Sequence, residues 1–241
     1  IRTRPDRSGI ALQPEYRWKS RYNLVVLLSK CQNDLALGAD TLFLAVNILD
    51  RYSSKRIVKR CHCKLLGGVA LLLASKYLNR LSTASSFRER CCLFSGYELQ
   101  DITQMEKMVL LTLDYLVGFP AVIGFMQIEL LDFQQLKPLY DMVLYICELT
   151  LCYSEFLSTP AALIARAAVE TASRLIGRPL GQGEASMDTG DEVRRLLPRI
   201  SKILSKPPRA LFYKYAREER SRVALAVGGY QPERGSTYRR Y

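Results

Sequence analysis

The sequence predicts an all-α protein, and three observations carry that prediction. No run of alternating β-branched residues bounded by turn signals occurs, so strand signals are nearly absent. Helical periodicity, by contrast, recurs from Tyr16 to Ala216. Two stretches, Thr41-Leu-Phe-Leu-Ala-Val-Asn-Ile-Leu-Asp-Arg-Tyr52 and Leu71-Leu-Leu-Ala-Ser-Lys-Tyr77, are apolar almost all the way round, as a helix packed on every side must be. The polar residues embedded there, Asn47, Asp50, Arg51 and Lys76, then need partners inside the protein or across an interface, because an unpaired buried charge is costly.

A first helix is expected over 15–31, with Leu24, Leu27, Leu28 and Cys31 on one face. Gly38 ends the following connection, and Asp40-Thr41 offers an N-cap for the central helix. The third helix, over 61–78, carries Gly67-Gly68 in its interior, a cost of about 1 kcal/mol per glycine that a tight helix crossing would offset. A short helix follows at 86–93. The next, over 98–113, puts Ile102, Met105, Val109 and Thr112 or Leu113 on one stripe and leaves Glu106 off the most apolar face. Gly118-Phe-Pro120 breaks the pattern and marks a domain boundary.

Beyond it, helices are expected over 121–131, 137–154, 160–176 with Pro160 in the first turn, and 191–204. The Gly-rich stretch 177–190 reads as a loop where a helix has eroded. A last helix over 208–220 packs through Leu211, Phe212 and Tyr215, and the tail from Gly228 has a disordered composition. The expected organisation is thus an N-terminal extension (1–14), one helical domain (15–118), a second with a C-terminal helix (119–227) and a tail (228–241).

Composition narrows the chemistry. The chain of 241 residues holds one large domain or two ordinary ones. Its seven cysteines lack the spacing of a disulfide framework, and Cys31, Cys147 and Cys152 lie in apolar helical patterns, so a reducing compartment fits. No charged-then-apolar leader opens the sequence, and its longest apolar runs are too short to span a bilayer, so no membrane partner is expected. His62 is the only histidine and no G-x-S-x-G string accompanies it. Cys61-His62-Cys63 with Cys91-Cys92 lacks the C-x2-C spacing of a zinc site, and Gly181-Gln-Gly183 follows no strand. No catalytic residue, metal or cofactor is therefore expected. The net charge of +12, concentrated in 51–64, in 194–222 and at both ends, favours acidic partners but fits solvated helix faces equally.

Two sets of four or five helices either side of Pro120, together with the strings Thr41 to Tyr52 and Leu72 to Tyr77, resemble the tandem cyclin boxes of A- and B-type cyclins. Gln13-Pro-Glu15 and Trp18 resemble the lead-in to the first box of fungal-looking B-type cyclins. Glu148-Leu-Thr-Leu151 and Ala161-Ala-Leu-Ile-Ala-Arg-Ala-Ala168 resemble helices of the second box. The resemblance runs from Gln13 to about Val227. It implies a regulatory subunit, not an enzyme, that binds and activates a cyclin-dependent protein kinase in nucleus and cytoplasm.

The family's kinase-contacting lysine and glutamate fall on Lys76 and Glu106, where charge-assisted bonds would meet the kinase's regulatory helix. Leu73, Tyr77, Leu110, Tyr115 and Val117 match apolar contact positions. Arg21 aligns with the arginine of the MRAIL motif and Asp50 with its aspartate partner, which implies a buried ion pair that fixes helix packing.

The family's substrate-docking patch, MRAIL followed two residues later by tryptophan, stands here as Ser20-Arg-Tyr-Asn-Leu24 followed by Val25-Val26-Leu27. Only Arg21 and Leu24 are kept. Lys30 replaces the acidic residue that receives an RxL arginine, and Lys64 replaces a glutamine, so a standard RxL peptide should bind poorly or not at all; the two lysines fit a solvated surface first and an acidic or phosphorylated motif second. After Tyr77, Leu78-Asn-Arg80 and a serine-rich stretch replace the family's acidic pair and proline-rich turn. Two alternatives share the architecture: a double-cyclin-fold transcription factor of the transcription factor IIB kind, binding nucleic acid, and a pseudo-cyclin scaffold that binds a kinase without activating it.

Overall fold

A computed structural model describes residues 3–78, 96–131, 136–177 and 190–227. The short helix expected at 86–93, the cysteines at 91 and 92, the Gly181–Gly183 patch and the tail from Gly228 lie outside these residues. All regular structure among the described residues is helical: α1 (Arg7–Ala11), α2 (Trp18–Asp34), α3 (Ala39–Lys55), α4 (Cys63–Leu78) and α5 (Leu99–Thr112), then α6 (Val122–Glu129), α7 (Lys137–Cys152), α8 (Ala161–Ile176), α9 (Asp191–Leu204), α10 (Arg209–Tyr215) and α11 (Val223–Ala226).

Two helices are enclosed. In α3 every residue from Thr41 to Ser53 is buried, with α1, α2, α4 and α5 packed around it. In α7 the run from Asp141 to Thr150 is buried likewise, inside α6, α8, α9, α10 and α11. The α2 helix packs on both enclosed helices, and α10 packs on α2, so the two groups share one seam. A cavity of about 380 Å³ opens in that seam between Phe43, Phe119, Phe125 and Phe156, with Arg21 and Asp50 on one wall.

The close crossing expected at Gly67-Gly68 exists at Gly67, where a Cβ would lie 2.7 Å from Leu24 Cδ1 of α2. The stretch Arg60–Leu78 is long and apolar enough by composition to cross a membrane, contrary to the reading of run lengths. Its apolar residues face protein, with Leu65 to Ser75 buried without a break.

Helix ends differ from expectation where side chains outside the helix claim the backbone. The α2 helix starts at Trp18 and not at residue 15, because the lead-in is held extended against the end of α3. Gln13 Nε2 donates to Ser53 O and Arg56 O at 2.6 Å each, Gln13 Oε1 accepts from Val58 N at 2.9 Å, and Glu15 Oε2 accepts from Arg60 N at 2.8 Å. The α3 helix starts at Ala39 behind Gly38, so Asp40 is no cap. It lies in the first turn, accepts from Thr41 N at 2.9 Å, and complements the helix dipole. Pro160 precedes α8 as its cap residue. The last expected helix stops at Tyr215 because Arg217 turns extended, with φ −80° and ψ 158°, and farther on Ser221 and Arg222 adopt left-handed φ values of 52° and 51°. Ser221 Oγ then donates to Asp141 Oδ2 at 2.6 Å, which folds α11 back onto α7.

Helix α1 was not expected, since at five residues it is too short to show a period. Asp6 caps it by accepting from Ser8 N at 2.9 Å and Gly9 N at 3.3 Å, and Ser54 Oγ of α3 accepts from Asp6 N at 2.9 Å. Gly9 rests directly on the Ser54 carbonyl, where a Cβ would overlap backbone that cannot move aside. Gly9→Ala is therefore expected to lift α1 off α3, at a cost of about 1–3 kcal/mol for forced overpacking. Hydrogen exchange is the check: amides of residues 8–12 lose protection, while those of α7 keep theirs.

Candidate functional site

The last turn of α4 carries Lys76, and the middle of α5 carries Glu106. α5 is anchored at its start by a reciprocal cap between Glu98 and Asp101, with Asp101 Oδ2 accepting from Glu98 N at 3.2 Å. From there Ile102, Met105, Val109 and Leu113 turn into the core as expected. Glu106 does not stay off this face. It is 8% exposed, because Lys76 Nζ donates to its Oε1 and covers it.

The pair borders an apolar surface. Tyr77 is 60% exposed, Tyr115 64% and Leu111 52%, with Leu116 also exposed and Leu110 half-buried. Leu73 and Val117, expected to contact a partner, are buried in the core and instead support the residues beside them. The Tyr77 hydroxyl rests over Gly118, where a Cβ would push the ring aside. Asp114 and Tyr115 adopt left-handed φ values of 53° and 57°, a strain of about 1–2 kcal/mol per non-glycine residue. Tyr115 N donates to Leu110 O at 2.9 Å and Lys55 Nζ donates to Thr112 O at 3.2 Å, which holds the turn and presents the Tyr115 ring. Leu111 and Leu116 were missed by the sequence reading. The signal for Leu111 was an apolar residue standing off the buried stripe of α5, while Leu116 follows in the turn beyond that helix.

Arg21 lies wholly in the seam. Its Nε and Nη2 each donate to Asp50 at 2.7 Å, a bidentate pair, and Nη1 donates to Leu151 O of α7 at 2.9 Å. Burial opposes the guanidinium charge, but Asp50 outweighs it through charge and hydrogen bonding, and the Arg21 pKa is raised. Among the other embedded polar residues, Asn47 Nδ2 donates to Thr3 O at 3.0 Å and Arg51 Nη1 reaches Asn47 Oδ1 at 3.5 Å.

These contacts consume most of the expected docking patch. Arg21 and Leu24 are buried, Leu24 against Gly67, and Tyr22 packs edge-on against Tyr153 with ring centroids 5.9 Å apart. Leu27 is half-buried at the rim, and Lys30 and Lys64 are exposed.

A second buried charge pair crosses the same seam and was not foreseen. Lys214 Nζ of α10 donates to both Glu148 oxygens of α7 and to Gln32 Oε1 of α2, all at 2.8 Å, while Ser29 Oγ donates to Glu148 Oε2 at 3.2 Å. Glu148 lies inside the buried run of α7, the same signal that singled out Asp50, whereas Lys214 stands beside the exposed Tyr213 and carried no such signal. The five described cysteines are free. Burial pushes the Cys31 thiol up to about 11 and that of Cys152 up to about 12, and raises those of Cys147 and Cys63.

Arg21→Ala strands Asp50 and is expected to lower stability by about 3–5 kcal/mol, read as a fall in the urea midpoint. An unchanged midpoint would show the pair to be dispensable. Iodoacetamide at pH 8 is expected to label the exposed Cys61 first and to spare Cys31, Cys147 and Cys152, whose thiols stay protonated there. Peptide mass spectrometry resolves the sites.

Residues 1–118 match the family model described as the cyclin N-terminal domain. The chain is 32% identical over 178 residues to the G1/S-specific cyclin CCN1 of Candida albicans (strain SC5314), which covers 65% of this chain and 26% of that protein. It is 29% identical over 233 residues to the G2/mitotic-specific cyclin cdc13 of Schizosaccharomyces pombe (strain 972), covering 94% and 48%. It therefore spans about half or less of these relatives' length. The fold is similar to that of a viral cyclin from herpesvirus saimiri, with a TM-score of 0.68 at 17% identity over 80% of this chain and 89% of that one. With the enclosed α3 helix, the Arg21–Asp50 pair and the N-terminal match in agreement, the chain belongs to the cyclin family.

Proposed function

We propose that this chain is a cyclin-type regulatory subunit that binds a cyclin-dependent protein kinase through the α4–α5 surface and activates it. The observation that carries the reading is the juxtaposition of Lys76 and Glu106 at the edge of the apolar surface formed by Tyr77, Leu111 and Tyr115. A half-buried charge pair beside exposed aromatic and aliphatic side chains is the arrangement in which stable interfaces concentrate their energy. Lys76 retains ammonium protons for a partner's backbone carbonyls, and such bonds would be charge-assisted.

The chain supplies no chemistry in this role. Kinase catalysis requires a lysine–glutamate pair that includes the regulatory helix, so a surface that clamps that helix shifts the population toward the active state. In this reading residues 15–118 form the kinase-binding cyclin box and residues 119–227 a second box that braces it. The accessible remnant of the docking patch, Leu27 with Lys30 and Lys64, is left to receive acidic segments of substrates or inhibitors.

The test is a pull-down against a panel of cyclin-dependent kinases, with histone-type phosphorylation measured for the wild type and for Lys76→Ala/Glu106→Ala. We expect binding and activity to fall together, each by at least about tenfold, since a hot-spot truncation costs about 2 kcal/mol or more. Binding without activity would establish a scaffold instead, and no kinase binding at all would favour the transcription factor IIB-like alternative.

A further inference from the structure

The second group of helices carries a surface outside the proposed kinase contact. From Arg194 to Arg217 the sequence has eight lysines and arginines and no acidic residue. Two of the eight are engaged: Arg199 Nε donates to Glu155 Oε2 at 3.1 Å, and Lys214 is buried on Glu148. The other six, Arg194, Arg195, Lys202, Lys206, Arg209 and Arg217, are exposed, and none forms an ion pair among the described residues.

These cations stand on rigid supports. In α9, Val193, Leu196, Ile200, Ile203 and Leu204 are buried, which directs Arg194, Arg195 and Lys202 outward. Arg199 fixes the helix by donating also to Glu155 O at 2.7 Å. The α9–α10 connection runs through buried Pro207 and Pro208, and Tyr153 Oη donates to Lys206 O at 3.2 Å. On α10, Tyr213 follows Arg209 by one turn, about 6 Å along the axis. It is nearly half exposed, with its ring set edge-on against Phe212 at 5.7 Å.

We propose that this ridge binds single-stranded nucleic acid, with the cations on phosphates and Tyr213 stacked on a base. Four of the six free cations are arginines, whose planar fork suits phosphate oxygens. An acidic protein segment would satisfy the cations but would offer no matching partner to an exposed aromatic ring one turn from Arg209, whereas an unpaired base does.

Fluorescence anisotropy of labelled 20-nucleotide single-stranded DNA and RNA, titrated with the full chain at several salt concentrations, tests this. Removing three phosphate contacts in Arg194→Glu/Arg195→Glu/Lys202→Glu is expected to lower the salt slope by about 2. Tyr213→Ala is expected to weaken binding about five- to a hundredfold with the slope unchanged, and Tyr213→Phe to retain it. The control Arg56→Glu/Lys59→Glu/Arg60→Glu alters net charge equally and should leave affinity within about twofold, each variant having first been shown to melt as the wild type does. Tighter binding of the DNA or the RNA probe identifies the sugar preferred. The proposal is overturned if the control loses as much as the ridge variant, if Tyr213→Ala binds as the wild type does, or if a polyglutamate peptide competes as well as the oligonucleotide.

Discussion

Everything in this structure is hung on one buried guanidinium. Arg21 reaches Asp50 on α3 with two bonds and the Leu151 carbonyl at the end of α7 with a third, so a single side chain ties both enclosed helices to α2. Its planar fork is what permits three directed bonds from one charge, and lysine would not reproduce that geometry. Lys214 with Glu148 repeats the device farther along the seam, again anchored on α2 through Gln32 and Ser29. Two satisfied polar ties in an otherwise apolar seam fix how the helix groups sit on one another, where apolar packing alone would tolerate sliding.

The α4–α5 surface inherits that rigidity. α4 is buried on α3 along most of its length, so its last turn has little freedom, and Lys76 emerges where the buried run ends. Leu73 and Val117, inside the core, set the positions of Tyr77 and Tyr115 outside it. Strain at Asp114 and Tyr115 is held by Lys55 from the far end of α3, which connects the exposed ring to the central helix. The proposed kinase surface is thus a projection of the core and not a flexible loop.

Much of this was legible because the central signal is one of composition. A helix apolar on every side must be enclosed, and the charges it carries must be paired, which directed attention to Asp50 and Lys76 before any contact was known. The enclosed helices, most helix spans and the close approach at Gly67 followed from periodicity and spacing. What escaped depended on distance in sequence or on small size. Lys214 and Glu148 are 66 residues apart on separate helices. The α1 helix is set by a cap and a glycine contact, and Glu106 is drawn inward by a partner on another helix, so periodicity placed it wrongly. The buried Arg21–Asp50 pair was expected, but the burial of Leu24 against Gly67 of α4 depends on a partner helix that a motif within α2 cannot report.

The most direct test of the proposed docking geometry is hydrogen–deuterium exchange of the full chain with and without a cyclin-dependent kinase. New protection confined to the last turn of α4, to α5 and to residues 113–117, with the already protected α3 and α7 unchanged, is the result this account predicts. Protection centred on α9 and α10 instead, with the Lys76 and Glu106 segments unaffected, would contradict it.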